Sequence, residues 1–99
     1  GGSGITPVMS MLRSLLAGEP RSQATLIYAN TACEGIIFKN EIAALAKAHP
    51  ARLHVQHVVV RPQPDFPCVQ GMLTGAVADG LLRQAAARTA LPTAYYLCG

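Results

Sequence analysis

With 51% hydrophobic and 13% charged residues in 99, the chain has more apolar surface than it can leave in water, which excludes a disordered segment and points to one small globular domain. No apolar run approaches the ~20 residues of a bilayer span, and the opening residues do not read as a secretory signal. The net charge of +3 comes from Lys and Arg scattered singly, without the clustered cations and interleaved aromatics of a nucleic-acid footprint, though it suits a small anionic ligand.

The chain opens Gly1-Gly2-Ser3-Gly4-Ile5-Thr6-Pro7. On its own this stretch admits three readings: a flexible Gly/Ser linker, a plain helix cap, or a turn whose backbone amides cradle a phosphate. It matches neither the Gly-x-Gly-x-x-Gly dinucleotide pattern, because Pro7 stands where a third glycine would be, nor a P-loop, which needs Gly-Lys-Ser/Thr. Ile5, Val8, Met9, Leu12, Leu15 and Leu16 then recur at helical spacing, with Pro7 expected in the first turn, until Gly18-Glu19-Pro20 stops the run.

Thr25 to Ala29 reads as a buried strand. Phe38, Ile42, Leu45 and Ala46 mark a second amphipathic helix ending near His49-Pro50, and Leu53 to Val60 a second strand. A proline-rich loop follows from Arg61 to Pro67, after which Thr74 is placed to cap a third helix carrying Val77, Leu81, Leu82 and Ala85. Thr93 to Leu97 is the last strand. Apolar strands alternating with helices imply a three-layer α/β/α fold on a parallel sheet. A glycine turn that opens a helix normally follows a strand, so the chain is expected to lack its first strand and the sheet its centre, and to stop short at its C-terminal end.

Cys33, Cys68 and Cys98 lie far apart with no Cys-x-x-Cys, so they build neither a zinc knuckle nor an iron–sulfur cluster, and no metal site is expected within the chain. Isolated thiols in odd number suit a reducing compartment, with the cytoplasm as the expected location. His54 and His57 point to opposite faces of a strand and cannot share a metal. Neither a Ser-His-Asp set nor a close carboxylate pair is visible, which leaves hydrolysis without a foothold.

Three further stretches accompany the opening: Tyr28-Ala29-Asn30-Thr31 with Ile36 to Ile42, then Arg61-Pro62 with Gly71-Met72-Leu73-Thr74, and last Tyr95-Tyr96-Leu97-Cys98-Gly99. In this order and spacing the chain resembles the NAD(P)-binding domain of the ferredoxin–NADP reductase superfamily, which includes cytochrome b5 reductases and the reductases of multicomponent oxygenases. The resemblance covers essentially the whole chain and is most specific at its two ends. It implies that Gly2, Ser3, Gly4, Ile5, Thr6 and Pro7 cradle the pyrophosphate of NAD(P)H. It implies also that Cys98, with Gly99, lies beside the nicotinamide and helps align it with the flavin.

Asn30, Thr31 and Arg61 fall where such proteins hold the adenosine ribose, and Arg61 could pair with a 2′-phosphate. Thr31 and Met72 replace arginines common in NADPH-using members, leaving the choice of NAD or NADP open. The implied activity is hydride transfer from NAD(P)H to FAD on a separate β-barrel domain in cis. Electrons then pass to an acceptor protein or domain carrying haem or an iron–sulfur centre, with a 2Fe-2S cluster elsewhere in some such proteins. The 99 residues alone are expected to be inactive. The competing reading is a non-catalytic α/β module that binds another phosphate-bearing ligand or a protein partner.

Overall fold

The computed structural model describes residues 2–19, 21–87 and 93–98. Its elements run α1 (Gly2–Gly18), β1 (Gln23–Ala32), α2 (Lys39–Ala48), β2 (Leu53–Arg61), β3 (Val69–Gln70), α3 (Gly75–Ala87) and β4 (Thr93–Cys98), with a 3-10 turn at Cys33–Gly35. The strands form one sheet in the order β3-β2-β1-β4, and all its pairings are parallel. This is the expected α/β fold.

Alternation along the strands sorts the side chains into two layers. Ala24, Leu26 and Tyr28 of β1 join Leu53 and Val59 of β2 beneath α1 and α2, whose Ile5, Val8, Met9, Leu12, Leu16 and Ile42 complete a single cluster of buried residues. Ile27 and Val58, both fully buried, belong to the opposite face, and α3 packs against β1. The apolar spacing read from the sequence for α1 is therefore the spacing that is buried. Burying side chains of this size stabilises the fold by roughly 1.5–3 kcal/mol each before the entropy of ordering is subtracted.

Two expectations change. The glycines do not make a turn ahead of α1: Gly2 is already helical, and Pro7 lies inside the helix. Glycine disfavours helix only mildly, and packing of Ile5 and Met9 offsets that preference. Proline lacks an N–H, so at this position it leaves one carbonyl of the first turn without an intrahelical partner. Among the described residues the sheet is also continuous where a gap was expected. β1 pairs directly with β4, from Gln23 opposite Thr93 to Tyr28 opposite Cys98, so the two strands satisfy each other's backbone groups.

Local contacts fix the connections. The Arg52 guanidinium donates to the carbonyls of Leu16 (3.1 Å), Glu19 (2.7 Å) and Ser22 (3.1 Å), lacing the end of α1 to the start of β2. Phe38 takes a left-handed conformation, φ 61°, immediately before α2. The proline loop is held by a row of rings: Tyr28 and His57, partners across β1 and β2, have centroids 6.0 Å apart, and His57 and Phe66 5.0 Å. Lys39 stands 4.9 Å from the Phe66 centroid. The Thr74 hydroxyl accepts from the Val77 N–H at 3.2 Å, which is the cap expected for α3.

Replacing Arg52 with alanine removes a charged donor from three carbonyls and is expected to lower unfolding stability by about 1–3 kcal/mol in urea titrations. His57 is held below the usual histidine pKa by burial and, secondarily, by Lys39, and its Nδ1 is buried without a hydrogen-bond partner. An unfolded chain therefore binds a proton on this imidazole at a higher pH than the folded one does. Stability is expected to fall as pH drops below about 6.5, and His57→Phe should flatten that decline in the same titrations repeated from about pH 8 to 5.

Candidate functional site

Parallel pairing brings the carboxyl ends of all the strands to one edge, where ligands of such sheets are bound. A cleft of about 460 Å³ opens there, lined by Ala29, Asn30 and Thr31 at the end of β1, Val60 near the end of β2, Gly71, Met72 and Leu73 leading to α3, and Leu97 and Cys98 of β4. Among these lining residues no side chain carries a formal charge. Met72 is 71% exposed, an unusual position for a large apolar side chain, and it stands at this cleft. Gly71 has φ 137°, a conformation that side-chain-bearing residues rarely adopt, so the loop can bend here only with glycine.

The first turn of α1 reaches the same edge. A Cβ built on Gly4 would lie 3.6 Å from the Cys98 Cβ, an ordinary van der Waals separation, so the glycine leaves room for about one methyl group between helix and strand end. The N–H groups of the first turn have no partners within a helix and favour an anion. Burial raises the Cys98 thiol above its usual pKa, which keeps it neutral at physiological pH.

Asn30 brings an amide to the cleft. Its Nδ2 is buried without a hydrogen-bond partner, and a Cβ on Gly35 would lie 3.8 Å from its Oδ1. Two residues earlier on the strand, the fully buried Tyr28 hydroxyl accepts from the Ile37 N–H at 3.1 Å and donates to the Ile37 carbonyl at 3.3 Å. The phenol pKa is raised by burial, an effect opposed by the Ile37 hydrogen bond and by Asn30.

Of the residues expected in a binding site, Asn30, Thr31 and Cys98 therefore meet in one cleft, with Gly4 against Cys98. Gly2 and Ser3 lie in the same helical turn, and Thr6 and Pro7 are exposed. The Ile5 side chain is fully buried in the core and can serve a ligand only through its backbone. Arg61 borders a neighbouring cavity with Pro62, Gln63, Phe66 and Cys68, the two cavities sharing Val60. Consecutive strand residues face opposite ways, so Val60 and Arg61 are directed to different sides of the sheet. Gly1 and Gly99 fall outside the described residues. Among the described residues no cluster of His, Cys, Asp or Glu could hold a metal ion.

Val60, Leu73 and Leu97 were not singled out from the sequence as site residues. They carry no reactive group, and only their place at the strand ends gives them a role.

Along residues 1–99 the chain matches the oxidoreductase NAD-binding domain family. It is 32% identical to NADH-cytochrome b5 reductase 1 of Debaryomyces hansenii, covering all of this chain and 34% of that protein. Identity to the NADH nitrate reductase of Ulva prolifera is 32%, over 74% of this chain and 9% of that protein. The ferredoxin reductase component of a 3-ketosteroid-9-alpha-monooxygenase from Rhodococcus rhodochrous is 46% identical over 57% of this chain and 16% of its own length. The chain thus spans about a third of the first of these curated relatives and less of the other two. No solved structure was found to match. Family match, parallel sheet and strand-end cleft agree, and the chain belongs to the oxidoreductase NAD-binding domain family.

Proposed function

We propose that this chain holds NADH or NADPH for a flavoprotein oxidoreductase, presenting the nicotinamide to an FAD carried by a separate domain. The observation that carries the reading is the meeting of Asn30 and Thr31 with Cys98 in one cleft, with Gly4 of α1 beside Cys98. These residues fit a dinucleotide. The glycine at position 4 leaves the helix end open beside Cys98, the cleft walls are neutral, and Asn30 and Thr31 bring polar side chains to it.

On this reading the amides of residues 2–5 hold the pyrophosphate, and the exposed Thr6 hydroxyl can add a donor. Asn30 faces the ribose, and Thr31, the next residue of β1, lines the same cleft. Cys98 offers the nicotinamide a neutral, polarisable thiol and serves position rather than nucleophilic attack. Met72, Leu73 and Leu97 cover the ligand's apolar faces and keep water away from them. Bound reduced nicotinamide supplies a hydride; the flavin chemistry belongs to the cofactors and the domain that holds FAD. Electrons then pass to an acceptor of haem or iron–sulfur type, the kinds that the relatives named cytochrome b5 reductase and ferredoxin reductase component suggest.

Titration of the folded chain with NADH, NADPH and 2′,5′-adenosine bisphosphate tests the proposal. Binding is expected for at least one of the three at about millimolar concentration or below, weakened at least about tenfold by Ser3→Asp combined with Gly4→Val. Absence of binding by all three, from a chain shown to be folded, returns it to the reading of a non-catalytic module. Arg61, at the far side of Val60, is proposed to read a 2′-phosphate. Arg61→Ala should then weaken NADPH more than NADH, and equal losses remove Arg61 from that role.

A further inference from the structure

We propose that Tyr28 is a positioning residue for Asn30, its buried hydroxyl turning the Asn30 amide so that Oδ1 is presented to a sugar hydroxyl of the bound nucleotide. The proposal rests on the nucleotide reading above and adds to it a residue that does not line the cleft.

Tyr28 and Asn30 are two apart on β1, so their side chains lie on the same face of the sheet. A phenol hydroxyl has one proton to donate and two lone pairs to accept with. Its proton goes to the Ile37 carbonyl, and one lone pair is taken by the Ile37 N–H. One acceptor site remains, inside a residue with no exposure to water. The nearby Asn30 Nδ2 is a buried donor without a partner. Leaving both unpaired would cost about 1–3 kcal/mol for the amide alone, so a small rotation of the amide that joins them is favoured. Asn30 also favours the ionised form of Tyr28, as a donor beside the hydroxyl oxygen would.

With Nδ2 turned inward, Oδ1 beside Gly35 is the amide atom left for a ligand. A carbonyl oxygen repels phosphate and accepts from hydroxyl, which assigns Asn30 to the ribose rather than the pyrophosphate. The same hydroxyl ties β1 to Ile37, just ahead of α2, so the segment between Asn30 and α2 is fixed together with the amide.

NADH titrations of the parent chain, Tyr28→Phe, Asn30→Ala and the double variant form the test, with melting temperature measured for each. Tyr28→Phe keeps the ring and is expected to weaken NADH binding about fivefold, the equivalent of one hydrogen bond, while in the Asn30→Ala background it should cause no further loss. Unchanged binding by Tyr28→Phe, when Asn30→Ala binds more weakly than the parent, overturns the positioning role and leaves the nucleotide reading standing. A further loss in the double variant overturns it as well, because Tyr28 would then act other than through Asn30. Failure of the parent itself to bind NADH overturns both readings.

Should Tyr28→Phe not fold, hydrogen exchange of the Asn30 side-chain amide in the free parent decides the matter. Slow exchange of one of its protons supports the inward hydrogen bond, and solvent-like exchange of both overturns it.

Discussion

Every feature of the site depends on the parallel pairing of β1 with β2 on one side and β4 on the other. A strand paired along both edges spends its backbone groups within the sheet, and its residues from Gln23 to Tyr28 are buried. Parallel direction then forces all the carboxyl ends to one edge. Asn30, Val60 and Cys98 are separated by dozens of residues in the chain, yet each lies within a few residues of the end of its strand. The cleft is a consequence of strand direction before it is a consequence of any particular side chain. The same pairing fixes the sides: alternation sends Val60 and Arg61 to opposite faces, and Val60 lines both the cleft and the adjoining cavity that Arg61 borders.

The helices hold this edge in place from the other layer. α1 buries a stripe from Ile5 to Leu16 against the sheet, and Arg52 ties the carbonyls at and after its C-terminal end to the turn before β2. With one end laced and the length packed, the first turn is set beside β4. The approach of Gly4 to Cys98 follows from that packing, and glycine leaves the space that a larger side chain would contest. A ligand held there would meet helix amides already ordered by the core, which lowers the entropy lost on binding.

Local patterns carried most of the fold into the sequence. Helical spacing located α1, α2 and α3, the apolar runs located β1, β2 and β4, and Thr74 marked the cap of α3. What escaped depends on contacts between distant segments. β3 is two residues long and exists only because Val69 and Gln70 align with Val58 and Val59. The left-handed Phe38 goes against its intrinsic preference, since a residue with a Cβ seldom adopts positive φ. The helical state of Gly2 likewise runs against propensity, and packing of the residues that follow decides it. At the site, the residues with polar or reactive groups were legible, whereas the walls Val60, Leu73 and Leu97 look in sequence like any core residues.

The neutrality of the cleft bears on how a charged ligand could be held at all. Two cations of the neighbouring segments, Arg61 and Lys39, lie outside its walls, one bordering the adjoining cavity and the other beside Phe66. A pyrophosphate bound at this edge would be stabilised by oriented amides at the start of α1 rather than by a salt bridge. Oriented dipoles are set in place when the fold forms, and they lose no rotamer entropy on binding as lysine and arginine side chains do. Charge recognition would then come from the helix, orientation from the Asn30 amide, and ring contact from the uncharged Cys98 thiol and its apolar neighbours. Each of these functions falls to a different strand end or helix end, and the β1 pairing is what makes them neighbours.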